Sequence, residues 1–528
     1  MQYLYNIIKA DYLQRTRSYS FLITLAVTVF MAYSFVPPDT ASYTTLSALG
    51  YKGVYNSAWV GYVSGIMTSF MLSFYGFLLV NSGIKKDIET EVGLIIATTP
   101  VTNFKYLLSK QLSNYLVLLT ITGITFIVSI AVFLVRGTDQ PFILGNFVFP
   151  YLFFAIPALF VVAALAVTAE VFLGKRSILQ FIIYFLLFGI CMAFINEKGG
   201  SDTGVFDPFG LSLMTKSITQ HINTHFNEDI KSVSFGFIFN GHKTFKLFAW
   251  EGLNWTPIFI FSRLLWIGFG LGLIYISSLF FHRFDFKQAV TIKKKKLQSA
   301  SAVSATEAGQ LIDPMRISRS VLPALSFNYG IYPLIKTEFL LLIRQGNKWL
   351  WLLNAALWVA MFVAPFKYAY SYLLPVLLFL QVTRWSELVT KEKTNRIHYF
   401  AYASYKPLQR MLPAQIMAGI LLAISLSLPV IIRSISTSNL YAVIGLLNGA
   451  VLIVLLAVAL GILTGGKKLF EVFFFLLTYA VINQVPFADY LGSLPDHHAP
   501  FFIWIVLMMN LTLTVVLFIA RRYQIRHL

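Results

Sequence analysis

Twelve apolar runs, most of them close to the roughly 20 residues an α-helix needs to cross a bilayer, limit what this chain can fold into. Six lie before residue 284: Phe21 to Val36, Trp59 to Ser82, Leu112 to Val135, Phe147 to Leu173, Ile178 to Ile195 and Pro257 to Phe281. Six follow residue 332: Trp349 to Ala364, Tyr368 to Thr383, Leu412 to Ile432, Tyr441 to Leu463, Leu469 to Val485 and Pro500 to Ala520. Lipid offers no hydrogen bonds to a bare backbone, and the runs are continuous rather than alternating, so each reads as a spanning helix. Composition agrees: hydrophobic residues make up 57%, charged residues 12%, and mean hydropathy is +0.71. A soluble globular enzyme is excluded.

The net charge of +19 does not point to nucleic acid, because the basic residues form short clusters beside the apolar runs. They act as topology signals and as contacts for anionic headgroups of membrane lipids. With the amino terminus inside, Lys85, Lys86, Lys105 and Lys110 fall on the cytoplasmic side, as do Lys175 and Arg176, then Arg283, Lys287 and Lys293 to Lys296. Arg521-Arg522 closes the chain on that side too, so both termini are expected in the cytoplasm. The single cysteine, Cys191, excludes an intrachain disulfide.

The two sets of runs repeat. Ile8-Lys9-Ala10-Asp11-Tyr12-Leu13 returns 327 residues later as Ile335-Lys336-Thr337-Glu338-Phe339-Leu340, with Arg17 matching Arg344. Lys86-Asp87 returns as Lys391-Glu392 and Lys105-Tyr106-Leu107 as Arg410-Met411-Leu412, both at an offset of 305, while Gly174-Lys175-Arg176 is echoed by Gly466-Lys467-Lys468 at 292. The drop from 327 to 305 removes 22 residues from the second half's first outer loop. Order and orientation are kept, so the halves read as parallel repeats about an axis along the membrane normal. The expected organisation is a first half over 1–283, a basic cytoplasmic linker over 284–332 and a second half over 333–528. The outer loop 196–255 belongs to the first half and is long enough to be functional or a small folded cap.

Between spans two and three lies a charged island, Ile84 to Gln111, with a weaker copy at Thr390 to Gln415. Read as a helix stopped near Pro100, it places Ile84, Ile88, Val92 and Ile95 on one face and Lys86, Asp87, Glu89 and Thr90 away from it. That describes an amphipathic segment lying on the membrane surface. The segment around Ile8 to Leu13 reads the same way.

Chemistry-bearing motifs are absent. There is no G-x-x-x-x-G-K-[ST], and Gly174-Lys175-Arg176-Ser177 lacks its preceding glycine. No nucleophile elbow, H-E-x-x-H motif or mid-membrane carboxylate pair occurs. Glu170 and Glu471 sit near cytoplasmic span ends, and Glu170 is expected to pair with Lys175 or Arg176. His221, His225 and His242, with His497-His498, lie in outer loops, but no third ligand is fixed by spacing, and no metal is expected.

Six spans per half, a surface-lying first helix with Ile-Lys-Ala-Asp and Ile-Lys-Thr-Glu, and an island ending Ala97-Thr98-Thr99-Pro100-Val101 resemble the membrane subunits of type-2 ABC exporters, here with two halves fused. The resemblance implies an all-α polytopic membrane protein of about twelve transmembrane helices in two parallel six-helix repeats, with surface-lying coupling helices, in a bacterial inner membrane. It implies a permease without enzymatic activity or cofactor of its own, fed by separately encoded ATPase subunits, two copies, which bind the ATP and Mg. The residues implied to grip those subunits are Lys86, Asp87, Glu89, Thr90 and Glu91, then Lys391, Glu392, Thr394, Asn395 and Arg396, with lesser contacts at Lys175, Arg176, Lys467 and Lys468. The second island departs from the pattern, with Ala403-Ser404-Tyr405-Lys406-Pro407 in place of Thr98 to Thr102. It is more basic than the first, so the two ATPase copies need not be used equivalently.

Two other classes fit the residues less well. A twelve-span secondary carrier usually holds an ionisable group nearer mid-membrane. A membrane enzyme acting on lipid-linked substrate would have to use Asp202, Asp207 or the outer histidines. Aromatic residues at 16% suit amphipathic, lipid-like or peptide cargo without choosing among them.

Overall fold

A computed structural model of the chain describes residues 2–38, 41, 43–48, 50–137, 140–174, 176–197, 205–230, 232–239, 245–281, 330–345, 348–485, 488–493 and 500–526. The basic linker lies almost wholly outside the described residues, as do Lys175, Asp202, His242, His497 and His498. The chain is a mostly helical, multi-pass membrane protein. Among the described residues seven helical stretches are long and apolar enough to cross a membrane, and Phe21–Ser34, Ser177–Ala193 and Trp349–Val363 are shorter apolar helices.

In chain order the first half contains α1 (Gln2–Thr16), α2 (Tyr19–Ser34), α3 (Ser57–Val80), α4 (Gly83–Glu89), α5 (Val92–Ala97), α6 (Asn103–Arg136), α7 (Gly145–Pro150), α8 (Ile156–Leu173), α9 (Ser177–Glu197), α10 (Leu211–Phe226) and α11 (Pro257–Phe280). The second contains α12 (Tyr332–Arg344), α13 (Lys348–Val363), α14 (Phe366–Tyr368), α15 (Leu374–Phe379), α16 (Val382–Glu387), α17 (Lys391–Thr394), α18 (His398–Tyr402), α19 (Pro407–Ser436), α20 (Leu440–Thr464), α21 (Lys468–Ile482) and α22 (Pro500–Arg526).

The apolar run Tyr368 to Thr383 is not one straight span. It is divided among α14, a π-turn over Ala369–Leu373, α15 and α16. Pro375 lies just past the π-turn, and a proline both removes an N–H and crowds the preceding turn, so the helix rewinds there. Another π-turn, Tyr151–Ala155, joins α7 to α8 between Pro150 and Pro157.

Helix α3 is buried on nearly every face. Its Gly61 and Gly65, four apart, let α7 come so close that an added Cβ would stand 2.2 Å from the Asn146 carbonyl oxygen and 2.5 Å from Pro150 Cβ. Small residues at this spacing are how apolar helices gain contact where lipid supplies no hydrophobic drive. The halves meet through rings: Phe475 of α21 packs on Phe74 (4.4 Å) and Phe185 (4.0 Å), and Tyr479 on Phe74 (4.6 Å). At the same boundary Lys468 Nζ donates to the Leu78 carbonyl at 3.4 Å.

The described parts of the loop between α9 and α11 are built jointly with the loop between α2 and α3. Strand β1 (Tyr43–Ser47) pairs antiparallel with β3 (Ser234–Phe239), and β2 (Tyr51–Gly53) pairs parallel with β4 (Lys246–Phe248). Trp250 is fully buried edge-on against Trp59 and Tyr62 at the top of α3. Asp207 starts α10 by accepting from the Phe209 and Ser212 amides and the Ser212 hydroxyl, and Arg263 of α11 donates to the carbonyls of Asp207 and Pro208. The 22-residue shortening of the second half falls where β1 and β2 lie in the first, and among the described residues after α21 no strands pair as β3 and β4 do.

Candidate coupling surface

Both islands lie at the end of the bundle where α1 and α12 pack. The first begins where α3 ends at Asn81 and the chain passes through a left-handed Ser82 (φ 87). The four amides that open α4 all point at one carboxylate. Glu170 Oε1 accepts from Ser82 (2.7 Å) and Gly83 (2.8 Å), and Oε2 accepts from Ile84 (2.8 Å) and Lys85 (3.0 Å). An anion at a helix amino terminus satisfies donors the helix cannot satisfy itself. Glu170 is thus a cap for α4 and makes no ion pair with Arg176; the expected alternative partner, Lys175, lies outside the described residues. Asn81 Nδ2 also donates to Gln180 Oε1 at 2.8 Å, and Gln180 Nε2 to the Gly174 carbonyl at 2.7 Å, so the start of the island is tied to the α8–α9 turn.

Asp87 does not face outward. Its Oδ2 accepts from the Tyr106 hydroxyl at 2.7 Å and meets Lys110 Nζ at 2.7 Å; the same ammonium pairs with Asp11 Oδ2 at 2.7 Å. Lys110 is only 2% exposed. An acid of α1, an acid of the island and a base of α6 thus form one buried knot. An unpaired charge there would be costly, so Asp87 turns in to its partners. Lys86, Glu89, Thr90 and Glu91 remain exposed, with Lys85 Nζ 3.9 Å from Glu89.

The second island uses the same three positions. Glu338 of α12 pairs with Lys391, and Gln415 Nε2 of α19 donates to Glu392 Oε1 at 2.6 Å. Glu392 is 2% exposed, so it too is a tie rather than a grip, and Lys391 is half-buried against its partner. Burial pushes the Glu392 carboxyl above the usual carboxylate range. Thr394, Asn395 and Arg396 are exposed. Of the lesser contacts, Arg176 is exposed, but Lys467 is engaged by Glu387 (2.5 Å) and Lys468 by Glu471 (3.4 Å).

Neither island is one helix. The first breaks at Glu91 (φ 62) between α4 and α5, and the second at Arg396 (φ 58) between α17 and α18. These positions are 305 residues apart, the offset that relates the islands' sequences. The break corrects the single amphipathic stripe: Ile84 is buried, but Ile88, Val92 and Ile95 are exposed. The apolar spacing runs through both pieces in register, so it gives no warning of the break. Beyond it, each island presents an apolar pair at matching places, Leu94-Ile95 and Tyr399-Phe400, with Ile95 at 68% and Phe400 at 83% exposure. Sequence reasoning assigned Ile95 to membrane anchoring and gave Phe400 no role.

On α10 the His221 and His225 rings stack at 4.3 Å, and among the described residues no group of three His, Cys, Asp or Glu side chains could hold a metal. The Asp207 carboxylate is occupied by its capping bonds. No family model, curated protein or solved structure matches this chain.

Proposed function

We propose that this chain is the membrane permease of an ATP-driven exporter, with its two islands seating separately encoded ATPase subunits. The observation that carries the reading is the pair of islands. Each is bent at the same repeat position, fixed to its bundle by a buried carboxylate, and tipped by an exposed apolar pair with polar residues beside it. A segment held rigidly at its root and apolar at its tip suits the transfer of motion from a soluble motor to a helix bundle. On this reading Ile95 and Phe400 fill hollows on the ATPase, and Lys86, Glu89, Thr90 and Glu91, with Thr394, Asn395 and Arg396, set register and partner choice.

The same reading takes twelve helices in two parallel repeats, in a bacterial inner membrane with both termini and the linker cytoplasmic. Its support is the matched pairs Asp11 and Glu338, Asp87 and Glu392, Lys110 and Gln415, and Glu91 and Arg396. Proton coupling finds some support in the buried Asp11–Lys110–Asp87 knot, but that knot sits within the first turns of α6 rather than at its middle. Cargo would be amphipathic, lipid-like or peptide. The test is cross-linking: cysteine at Ile95 or Phe400, with Cys191 replaced, should form a specific adduct with a co-expressed ATPase from a neighbouring reading frame. Labelling of both cysteines by lipid-phase reagents alone, with no ATPase adduct, would overturn the proposal.

A further inference from the structure

A cavity of about 480 Å³ opens between α12, α13 and α19. Phe339, Ile343, Trp351, Leu422 and Leu426 form its walls, and among the described residues the polar side chains lining it are Ser425 and Arg344. Its volume falls within the range of about 300–1,000 Å³ typical of small-ligand sites. The walls are fixed. Trp351 Nε1 donates to the Ile343 carbonyl at 2.8 Å, and the Arg384 guanidinium lies 4.5 Å from the Trp351 ring centroid. Arg384 is itself committed, to the carbonyls of Leu342 and Gln345. Arg344 differs. It is exposed, and no carboxylate among the described residues pairs with it.

The corresponding place in the first half is bridged. Tyr12 stands where Phe339 stands 327 residues later, and Thr120 where Ser425 stands 305 later; the Tyr12 and Thr120 hydroxyls bond at 2.9 Å, tying α1 to α6. Phe339 has no hydroxyl, and Ser425 Oγ turns to its own helix at the Leu422 carbonyl, 2.8 Å away. The second half has lost the bridge and holds open space with a lone cation at its edge.

We propose that this cavity binds an anionic phospholipid of the surrounding membrane, one acyl chain lying against Phe339, Leu422 and Leu426 and the phosphate paired with Arg344. An apolar space beside a membrane-lying helix opens to lipid, and an unpaired guanidinium selects an anion with its planar fork. The basic linker is unsuited to the same place, since it would set lysines beside Arg344. The site does not depend on the transport reading and stands or falls separately from it.

The test is lipid binding by the purified full-length protein in detergent, with phosphatidylglycerol and phosphatidylcholine of identical chains counted by native mass spectrometry. Wild type should prefer phosphatidylglycerol about tenfold, because phosphatidylcholine brings its own choline cation beside Arg344. Arg344→Gln should abolish the preference, Arg344→Lys should keep part of it, and Leu422→Trp should weaken both lipids. On wild type, a photoreactive acyl chain should label Phe339, Leu422 or Leu426, and inorganic phosphate should not compete. Equal binding of the two lipids, an unchanged preference in Arg344→Gln, displacement by inorganic phosphate, or labelling confined to other helices would each overturn the proposal.

Discussion

The two islands are rooted at matching positions by different chemistry. In the first, Lys110 neutralises two carboxylates at once, Asp11 and Asp87. In the second, Gln415 replaces the lysine, Lys391 satisfies Glu338, and Glu392 is left with an amide donor alone. The same bend is therefore supported once by one cation shared between two carboxylates and once by an ion pair beside an amide-bonded carboxyl, so geometry outlasts the particular contacts that hold it. The roots differ again at the helix start: α4 has the Glu170 cap, whereas Ile462 stands at the equivalent place 292 residues on.

The comparison breaks most visibly at the central base. Lys110→Met removes the cation that buried Asp87 and part-buried Asp11 share and should cost about 3–5 kcal/mol, against about 1–3 kcal/mol for Gln415→Met, which removes one amide donor. Chemical unfolding in mixed micelles measures both. Adding Asp11→Asn and Asp87→Asn to Lys110→Met should recover most of the loss. Equal costs at the two sites would mean that the knots are equivalent after all.

Next in size is the cap. Glu170→Ala deprives four amides of their acceptor and should cost about 2–3 kcal/mol. Amide exchange should quicken at Gly83 to Lys85 while the second island is unchanged. Acceleration in both islands would show that they are coupled through the bundle rather than rooted separately.

The apolar runs and their periodicity made the membrane class, the helical content and the islands' positions legible, because spanning length and charge placement are local properties of the chain. The outer cap was legible only as length, since β1 and β3 lie on loops almost 200 residues apart and neither has a partner nearby in sequence. Asp87 and Glu392 read as surface charges because their partners, Tyr106, Lys110 and Gln415, reach them only once α6 and α19 fold back past the islands. The bend at Glu91 and Arg396 left no mark in the hydrophobic pattern.

Smaller effects sharpen the contrast between the two roots. Glu392 Oε2 and Gln415 Oε1 are buried without hydrogen-bond partners, and a proton on the acid would supply a donor. A carboxyl whose value is raised by folding contributes stability that is full below the ordinary carboxylate range and is lost as pH rises through the raised value. Thermal stability should therefore decline as pH rises above the ordinary carboxylate range, and Glu392→Gln should flatten that slope. A slope unchanged by the substitution would assign it to other groups. Smallest for folding is Glu89→Lys with Glu91→Lys, within about 0.5 kcal/mol of wild type because both side chains are exposed. Association with the ATPase should nevertheless weaken.

Stimulated ATP hydrolysis in proteoliposomes addresses the central claim, that energy enters through both islands. On the exporter reading, the chain reconstituted with a co-expressed ATPase from a neighbouring reading frame should raise hydrolysis above that of the ATPase alone. Ile95→Asp and Phe400→Asp should each reduce the gain, and the double variant should abolish it while inserting and unfolding like wild type. Full stimulation by the double variant would contradict the account.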